Sequence, residues 1–141
     1  MAVTFSAEDV DFELNSPEVV RKWISRVVEN HNCRVGKISY RFCSDNYILD
    51  VNRRYLNHDT YTDIITFDYV VSDMISGDIL ISVDRVGENA SVFNVPFQQE
   101  LCRVIIHGVL HLLGFKDKSD EDASTMRMKE NESLMLLQGI Q

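Results

Sequence analysis

Two histidines stand one helical turn apart in an apolar stretch of the C-terminal half. His107 and His111 are four residues apart, and on an α-helix such positions lie on one face. Both imidazoles can therefore reach one metal ion. Gly114 follows three residues later, where a helix can stop and the chain can turn back, and Asp117 comes three residues further on. The pattern predicts a metal site built from His107, His111 and Asp117 on a long helix.

Two imidazoles and one carboxylate form a plausible open site for zinc or a similar divalent metal. Three protein ligands leave the fourth tetrahedral position to water, and the metal lowers the pKa of that water to about 7 in favourable cases. This chemistry suits hydrolysis of an ester, an amide or a phosphodiester. A structural, hydrogen-bonded histidine pair is the alternative. Asp120, Glu121 and Asp122 compete with Asp117 for the third position, although an acidic first turn of a helix also explains them.

Gly108 separates two classes of hydrolase. Zinc proteases of the H-E-x-x-H type need a glutamate directly after the first histidine as general base, and this chain has Gly108 there. Because glycine has no side chain, it cannot accept a proton from water. The spacing otherwise matches the metzincin ligand arrangement, so peptide hydrolysis remains an alternative. Phosphodiester cleavage is favoured, since a metal can itself offset charge on phosphoryl oxygens.

The composition is ordinary for a soluble globular protein, with 45% hydrophobic and 26% charged residues. A length of 141 residues predicts one domain over residues 1–141. No apolar run is long enough to span a bilayer. The N-terminus lacks the basic region and apolar stretch of a signal peptide. Three widely spaced cysteines suit reduced thiols. We therefore expect a cytoplasmic protein with no membrane partner.

The net charge of −8 argues against non-specific coating of nucleic acid. The charge is unevenly distributed, because residues 21–54 contain eight basic and three acidic residues. This basic zone could meet phosphates while the remaining surface repels them. Solvated helix and strand faces are the alternative interpretation.

The histidine helix needs a scaffold, and the rest of the chain alternates strand and helix patterns. Alternating or β-branched segments predict four strands, the last two as a hairpin-like pair: 3–7, 35–43, 63–71 and 78–83. Helical spacing and cap residues predict five helices: 17–31, 45–56, 84–93, roughly 96–113 and about 120–137. Helices and strands interspersed without strict βαβ repetition indicate an α+β domain with one mixed sheet of about four strands.

Local signals add detail to the first two helices. Ser16 and Ser44 are predicted to cap them. The second helix is expected to carry its apolar positions on one side: Ile48, Val51, Asn52, Tyr55 and Leu56.

The histidine motif has a family resemblance. Residues 107–117, H-G-V-L-H-L-L-G-F-K-D, resemble the hallmark H-G-x-L-H-L-x-G-[YF]-D-H of the YbeY family of metal-dependent endoribonucleases. Residues 62–67 resemble the family's T-[DN]-V-L-S-F strand, and residues 77–82 resemble its G-D-I-x-I-S strand. Met126 and Glu130 fall on its M-x-x-x-E helix. The similarity covers roughly residues 47–137.

The resemblance implies a zincin-like α+β fold and a zinc-dependent endoribonuclease that cleaves single-stranded RNA. It also implies a role in ribosomal RNA maturation, at the 3′ end of 16S rRNA, and in ribosome quality control. The ribosome or a ribosomal subunit is then a partner. A metallopeptidase-like zinc hydrolase is one alternative, and a non-catalytic ribosome assembly factor with a structural metal is another.

The chain departs from the family pattern at two positions. Asp117 stands where the family has its third histidine ligand, which replaces a neutral imidazole with an anion. Leu56 stands where the family has an arginine proposed to help with substrate. His58, Arg53 and Arg54 are the candidates to meet the phosphate instead, and an ordinary loop position is the alternative interpretation of His58.

Overall fold

A four-stranded mixed β-sheet supports the helix that carries the two histidines. The computed structural model describes residues 2–141. The strands are β1 (Ala2–Ala7), β2 (Arg34–Cys43), β3 (Ile64–Asp68) and β4 (Met74–Ser82). The helices are α1 (Pro17–Asn30), α2 (Asp45–Tyr55), α3 (Val83–Phe93), α4 (Phe97–Leu112) and α5 (Asp120–Ile140). The predicted α+β fold with one mixed sheet is confirmed.

The sheet has the strand order β1-β2-β4-β3. Strands β1, β2 and β4 run parallel to one another, and β3 is antiparallel to β4. Parallel neighbours need long crossover connections, and α1 lies between β1 and β2 in the chain, as α2 does between β2 and the β3–β4 pair. The predicted hairpin-like pairing of the last two strands is confirmed.

Alternation along β4 divides the apolar side chains between two cores. Ile79 and Ile81 join the larger core, whereas Leu80 joins a smaller core with Ile48 of α2 and Ile65 of β3. Successive side chains of a strand point to opposite faces of the sheet. The histidine helix α4 therefore packs on one face, against α1 and α5, while α2 covers the other face.

Tyr40 of β2 connects the sheet to α4 by a hydrogen bond. Its ring is buried in the larger core, and its hydroxyl donates to the main-chain carbonyl of Ile105 at 2.8 Å. Burial raises the pKa of the Tyr40 hydroxyl above its ordinary value, so the group remains a donor at neutral pH. The same bond fixes α4 two residues before His107.

The substitution Tyr40→Phe is expected to lower the free energy of unfolding by about 0.5–1.5 kcal/mol, because it removes a buried hydrogen bond to a carbonyl that keeps its helical amide donor. Denaturant unfolding of parent and variant measures the difference. Tyr55→Phe is the control, since Tyr55 is 70% exposed and its substitution should leave stability unchanged. Equal stability of parent and Tyr40→Phe would show that the bond does not hold α4.

Some predicted boundaries were wrong. The 63–71 strand ends at Asp68. Beyond it, one bond from the Tyr69 amide to Ser76 and one bridge between Val71 and Met74 close the hairpin connection at 69–73. Strand β4 consequently starts at Met74, before the predicted residue 78. Helix α5 continues to Ile140, beyond the predicted end at 137.

Two local predictions also need correction. Ser16 occupies the cap position of α1, but its φ of 50° is left-handed and its side chain makes no capping bond, since side-chain capping requires an extended backbone. Ser44 does cap α2 by accepting from the Tyr47 amide. Tyr55 and Leu56 are exposed although the pattern placed them with Ile48, because α2 ends at Tyr55 and its periodicity stops there.

Nowhere in residues 2–141 does a helix combine the length and the apolar character that crossing a membrane requires.

Candidate active site

Helix α4 presents its two histidines to one side and its apolar residues to the core. The predicted core positions are all buried: Leu101, Val104, Ile105 and Leu112. His107 is partly buried, and His111 is exposed one turn further on. The chain leaves the helix at Gly114, whose φ is 106° and whose amide donates to the carbonyl of His111 at 3.0 Å. Because this left-handed backbone favours glycine, the chain can turn back towards Asp117 as predicted.

Both ring nitrogens of His107 face carboxylates. Nδ1 lies 2.7 Å from Oε2 of Glu130, and Nε2 lies 3.2 Å from Oδ2 of Asp117. Glu130 is a buried residue of α5. A buried carboxylate that accepts from Nδ1 fixes the ring and leaves Nε2 facing the acid on the other side. The structure therefore brings together two of the three predicted ligands, His107 and Asp117.

The contact between His107 and Glu130 shifts the pKa values of both groups. Burial disfavours the imidazolium, but the hydrogen bond to Glu130 and its negative charge outweigh burial and raise the pKa of His107. Burial likewise opposes ionisation of Glu130, yet its hydrogen bonds to His107 and Arg103 hold the pKa of that carboxyl below its ordinary value. Glu130 is thus an anion that stabilises positive charge at His107.

These residues open on one cavity of about 760 Å³. His107, His111, Asp117 and His58 line it, whereas Arg53 and Arg54 do not. Arg53 instead forms an ion pair with Asp59, and Arg54 pairs with Asp50 at 3.1 Å.

The structure also bears on the alternative third ligands and on the metal site as a whole. Asp120, Glu121 and Asp122 form the first turn of α5 and do not line the cavity, in contrast to Asp117. Across residues 2–141, no three His, Cys, Asp or Glu side chains are drawn together closely enough to hold a metal ion. The ligand set His107, His111 and Asp117 remains a prediction.

Gly108 has a packing function that the sequence did not reveal. The residue is buried, and a β-carbon at this position would lie 2.9 Å from Cδ1 of Ile79 and 3.1 Å from Cδ1 of Ile64. The absence of a side chain lets α4 approach the sheet closely. The position after the first histidine therefore faces the core, where a glutamate would have to displace the side chains of Ile79 and Ile64.

Two acids of the cavity were missed as site residues. Asp63 precedes β3, and Glu100 is buried near the start of α4. Burial raises the pKa of both carboxyls above their ordinary values. Perturbed acids in a cleft are typical of functional sites. Only the family strand pattern at residues 62–67 pointed towards Asp63.

Arg103 and Glu130 were missed as well. Arg103 Nη1 donates to Oε1 of Glu130 at 3.0 Å, so one carboxylate holds both Arg103 and His107. The sequence did contain a signal for Arg103, since residues 103, 107 and 111 follow one another at helical spacing. Glu130 stood in the family's M-x-x-x-E pattern, but nothing in the sequence pairs it with His107.

The fold and the site define an α+β protein with a histidine-centred polar cavity beside a mixed sheet. The family model described as Endoribonuclease YbeY matches residues 3–138. The chain belongs to this family.

Several curated relatives are similar over nearly their whole length. A protein of Flavobacterium psychrophilum named Endoribonuclease YbeY is 53% identical over 134 residues, which covers 95% of each chain. A protein of Porphyromonas gingivalis with the same name is 48% identical and covers 96% of this chain and 90% of its own. The solution structure of a Thermotoga maritima protein matches with a TM-score of 0.69 at 25% identity, covering 98% of this chain and 90% of that chain.

Proposed function

We propose that this protein is an endoribonuclease that cleaves single-stranded RNA in ribosomal RNA processing. The observation that carries the proposal is the match of the Endoribonuclease YbeY model to residues 3–138. The alignments to the two relatives that bear this name cover 95% and 90% of those proteins, which also supports the proposal. The peptidase and the non-catalytic alternatives have no comparable support.

We propose that the enzyme depends on zinc, with His107, His111 and Asp117 as ligands. The donor set fits a divalent cation, because the Nε2 atom of His107 and a carboxylate oxygen of Asp117 face each other at 3.2 Å. Glu130 accepts at Nδ1 and so leaves Nε2 as the donor atom for a metal. When bound, the ion supplies Lewis acidity, which polarises a phosphoryl oxygen and makes water a stronger acid.

Other residues fix the position of His107 and line the cavity for a substrate. Glu130 and the packing of α4 fix the His107 ring before any ligand arrives, which reduces the cost of ordering the site. His58 lines the same cavity as the histidines and is a candidate contact for the RNA. The cavity volume is within the usual range for ligand sites, about 300–1,000 Å³.

The family resemblance also supports a proposal about the role of the protein in the cell. We propose that residues 1–141 act as one domain in the cytoplasm, on the 3′ end of 16S rRNA. The ribosome or a ribosomal subunit is the proposed partner. Ribosome profiles of cells that lack the protein, with the 16S rRNA ends mapped, test this part separately from the activity.

A panel of substrates tests the activity itself. Purified protein is incubated with an unstructured RNA, the same RNA in a duplex, the DNA of the same sequence and a peptide library. We expect cleavage of the unstructured RNA alone. Peptide cleavage without RNA cleavage, or no cleavage of any substrate by zinc-loaded protein, would contradict the proposal.

The substitution Glu130→Gln is expected to weaken zinc binding or cleavage by about 10- to 100-fold, because it removes the charge that holds the Nδ1 proton of His107. Competition with a chelator measures zinc affinity, and RNA cleavage measures rate. Glu132→Gln is the matched control on α5, because Glu132 is exposed and pairs with Lys129. Parent-like affinity and rate in a folded Glu130→Gln protein would refute the orienting role.

A further inference from the structure

Arg103 places a fixed positive charge in the cavity. Its side chain is 18% exposed, and its Nη1 donates to the buried Glu130 at 3.0 Å. Arg103 also lines the cavity beside His107. A guanidinium has five N–H donors. Throughout residues 2–141, Glu130 is the one hydrogen-bond acceptor that contacts it, so most of its donors are available to a ligand.

The Glu130 carboxylate fixes this charge relative to the candidate metal site. Oε1 accepts from Arg103, and Oε2 accepts from Nδ1 of His107. Arg103 and His107 are also one turn apart on α4. Because the hydrogen bond to the buried Glu130 holds the guanidinium, less entropy is lost when it makes further contacts.

The other basic side chains are less suited to this role. Arg127 lines the cavity, but its side chain is 54% exposed and lies 3.6 Å from Glu130. Lys118 lines it from an exposed loop position. Of the basic zone at residues 21–54, no basic residue lines the cavity. Arg103 is therefore the least exposed cation of the cavity in residues 2–141.

A fixed cation beside the proposed metal would help this cavity to hold RNA. Its lining includes four acids: Asp63, Glu100, Asp117 and Glu130. These carboxylates repel a phosphodiester, and the repulsion is strong where water is excluded. A guanidinium binds phosphate oxygens through paired, charge-assisted hydrogen bonds. We propose that Arg103 binds the non-bridging oxygens of the phosphodiester that is cut and stabilises their charge during cleavage, an inference that rests on the proposed endoribonuclease function.

The first test is Arg103→Gln, which keeps much of the side-chain volume and removes the charge. We expect kcat/KM for an unstructured RNA at saturating zinc to fall about 100-fold, as for loss of one charge-stabilising donor. This fall should exceed the loss of zinc affinity that follows from unpairing the buried Glu130. Arg34→Gln is the control, because Arg34 forms an exposed ion pair with Asp73 and does not line the cavity. Its kcat/KM should stay within about threefold of the parent.

Chemical rescue separates phosphate binding from a purely structural role. Free guanidinium ion should restore part of the cleavage lost in Arg103→Ala and should have no effect on Arg34→Ala, which alters no residue of the cavity. If the parent protein and the Arg103→Gln variant cleave RNA equally well, the role of Arg103 is overturned and the proposed function stands. A rate loss matched by an equal loss of zinc affinity, without rescue, would also overturn it. A parent that does not cleave RNA would instead overturn the proposed function.

Discussion

The substitution His111→Ala is expected to reduce the rate of RNA cleavage by about 1,000-fold. Metal-ion charge stabilisation contributes several kcal/mol to such reactions, and each 1.36 kcal/mol corresponds to a factor of ten in rate. His111 is exposed on α4, so the truncation removes a proposed ligand without opening a hole in the core. Cleavage of an end-labelled, unstructured RNA under saturating zinc measures the change.

A histidine outside the cavity provides the control for His111→Ala. His31 contacts the carbonyl of Val27 at 2.8 Å and packs edge-on against Phe115. His31→Gln should therefore keep the parent rate wherever the protein is folded. Circular dichroism confirms folding of both variants. Parent-like cleavage by folded His111→Ala would remove this residue from the site.

The substitution Gly108→Glu is expected to destabilise the protein by about 4 kcal/mol or more, because it adds both overpacking and an unpaired charge to the core. A β-carbon at position 108 already lies 2.9 Å from Cδ1 of the buried Ile79. Moving α4 outwards to make room would displace His107 as well. The variant restores the H-E-x-x-H pattern, yet we expect no gain of peptidase activity. Denaturant unfolding and a peptide panel measure the two outcomes.

Gly139→Glu is the control for Gly108→Glu. Gly139 lies in a helix, is exposed, and a β-carbon there meets nothing within 4 Å. Its substitution should change stability by no more than about 0.5 kcal/mol. A Gly108→Glu protein as stable as the parent would show that α4 does not pack on the sheet as described.

Periodicity was sufficient to predict the parts of the site that lie on one helix. The spacing of His107 and His111 places both on one face, and their position on the wall of one cavity agrees with this. Gly114 predicted the end of the helix because few other residues adopt its backbone conformation. The strands were predictable for a similar reason, since every second residue of β2 and β4 belongs to the larger core and those between face the other side of the sheet.

Contacts between distant segments were not predictable in the same way. Glu130 is 23 residues from His107 in the chain, and only the packing of α5 on α4 brings them together. From the sequence, the basic residues that contact phosphate were expected in the basic zone at residues 21–54, where positive charge is concentrated. In the folded protein Arg53 and Arg54 pair with local acids on α2 and its following loop, while Arg103 extends the histidine face by one turn. Local charge density was a poor guide because it does not show which basic side chains the fold directs into the cavity.

The most direct test of this account is RNA cleavage by the parent protein before and after removal of its metal, with the metal content measured by element. We predict about one zinc ion per chain, as in an open site with three protein ligands. Cleavage of unstructured RNA should be lost on chelation and regained when an equivalent of zinc is returned. Cleavage at the parent rate by protein shown to contain no metal would contradict the account.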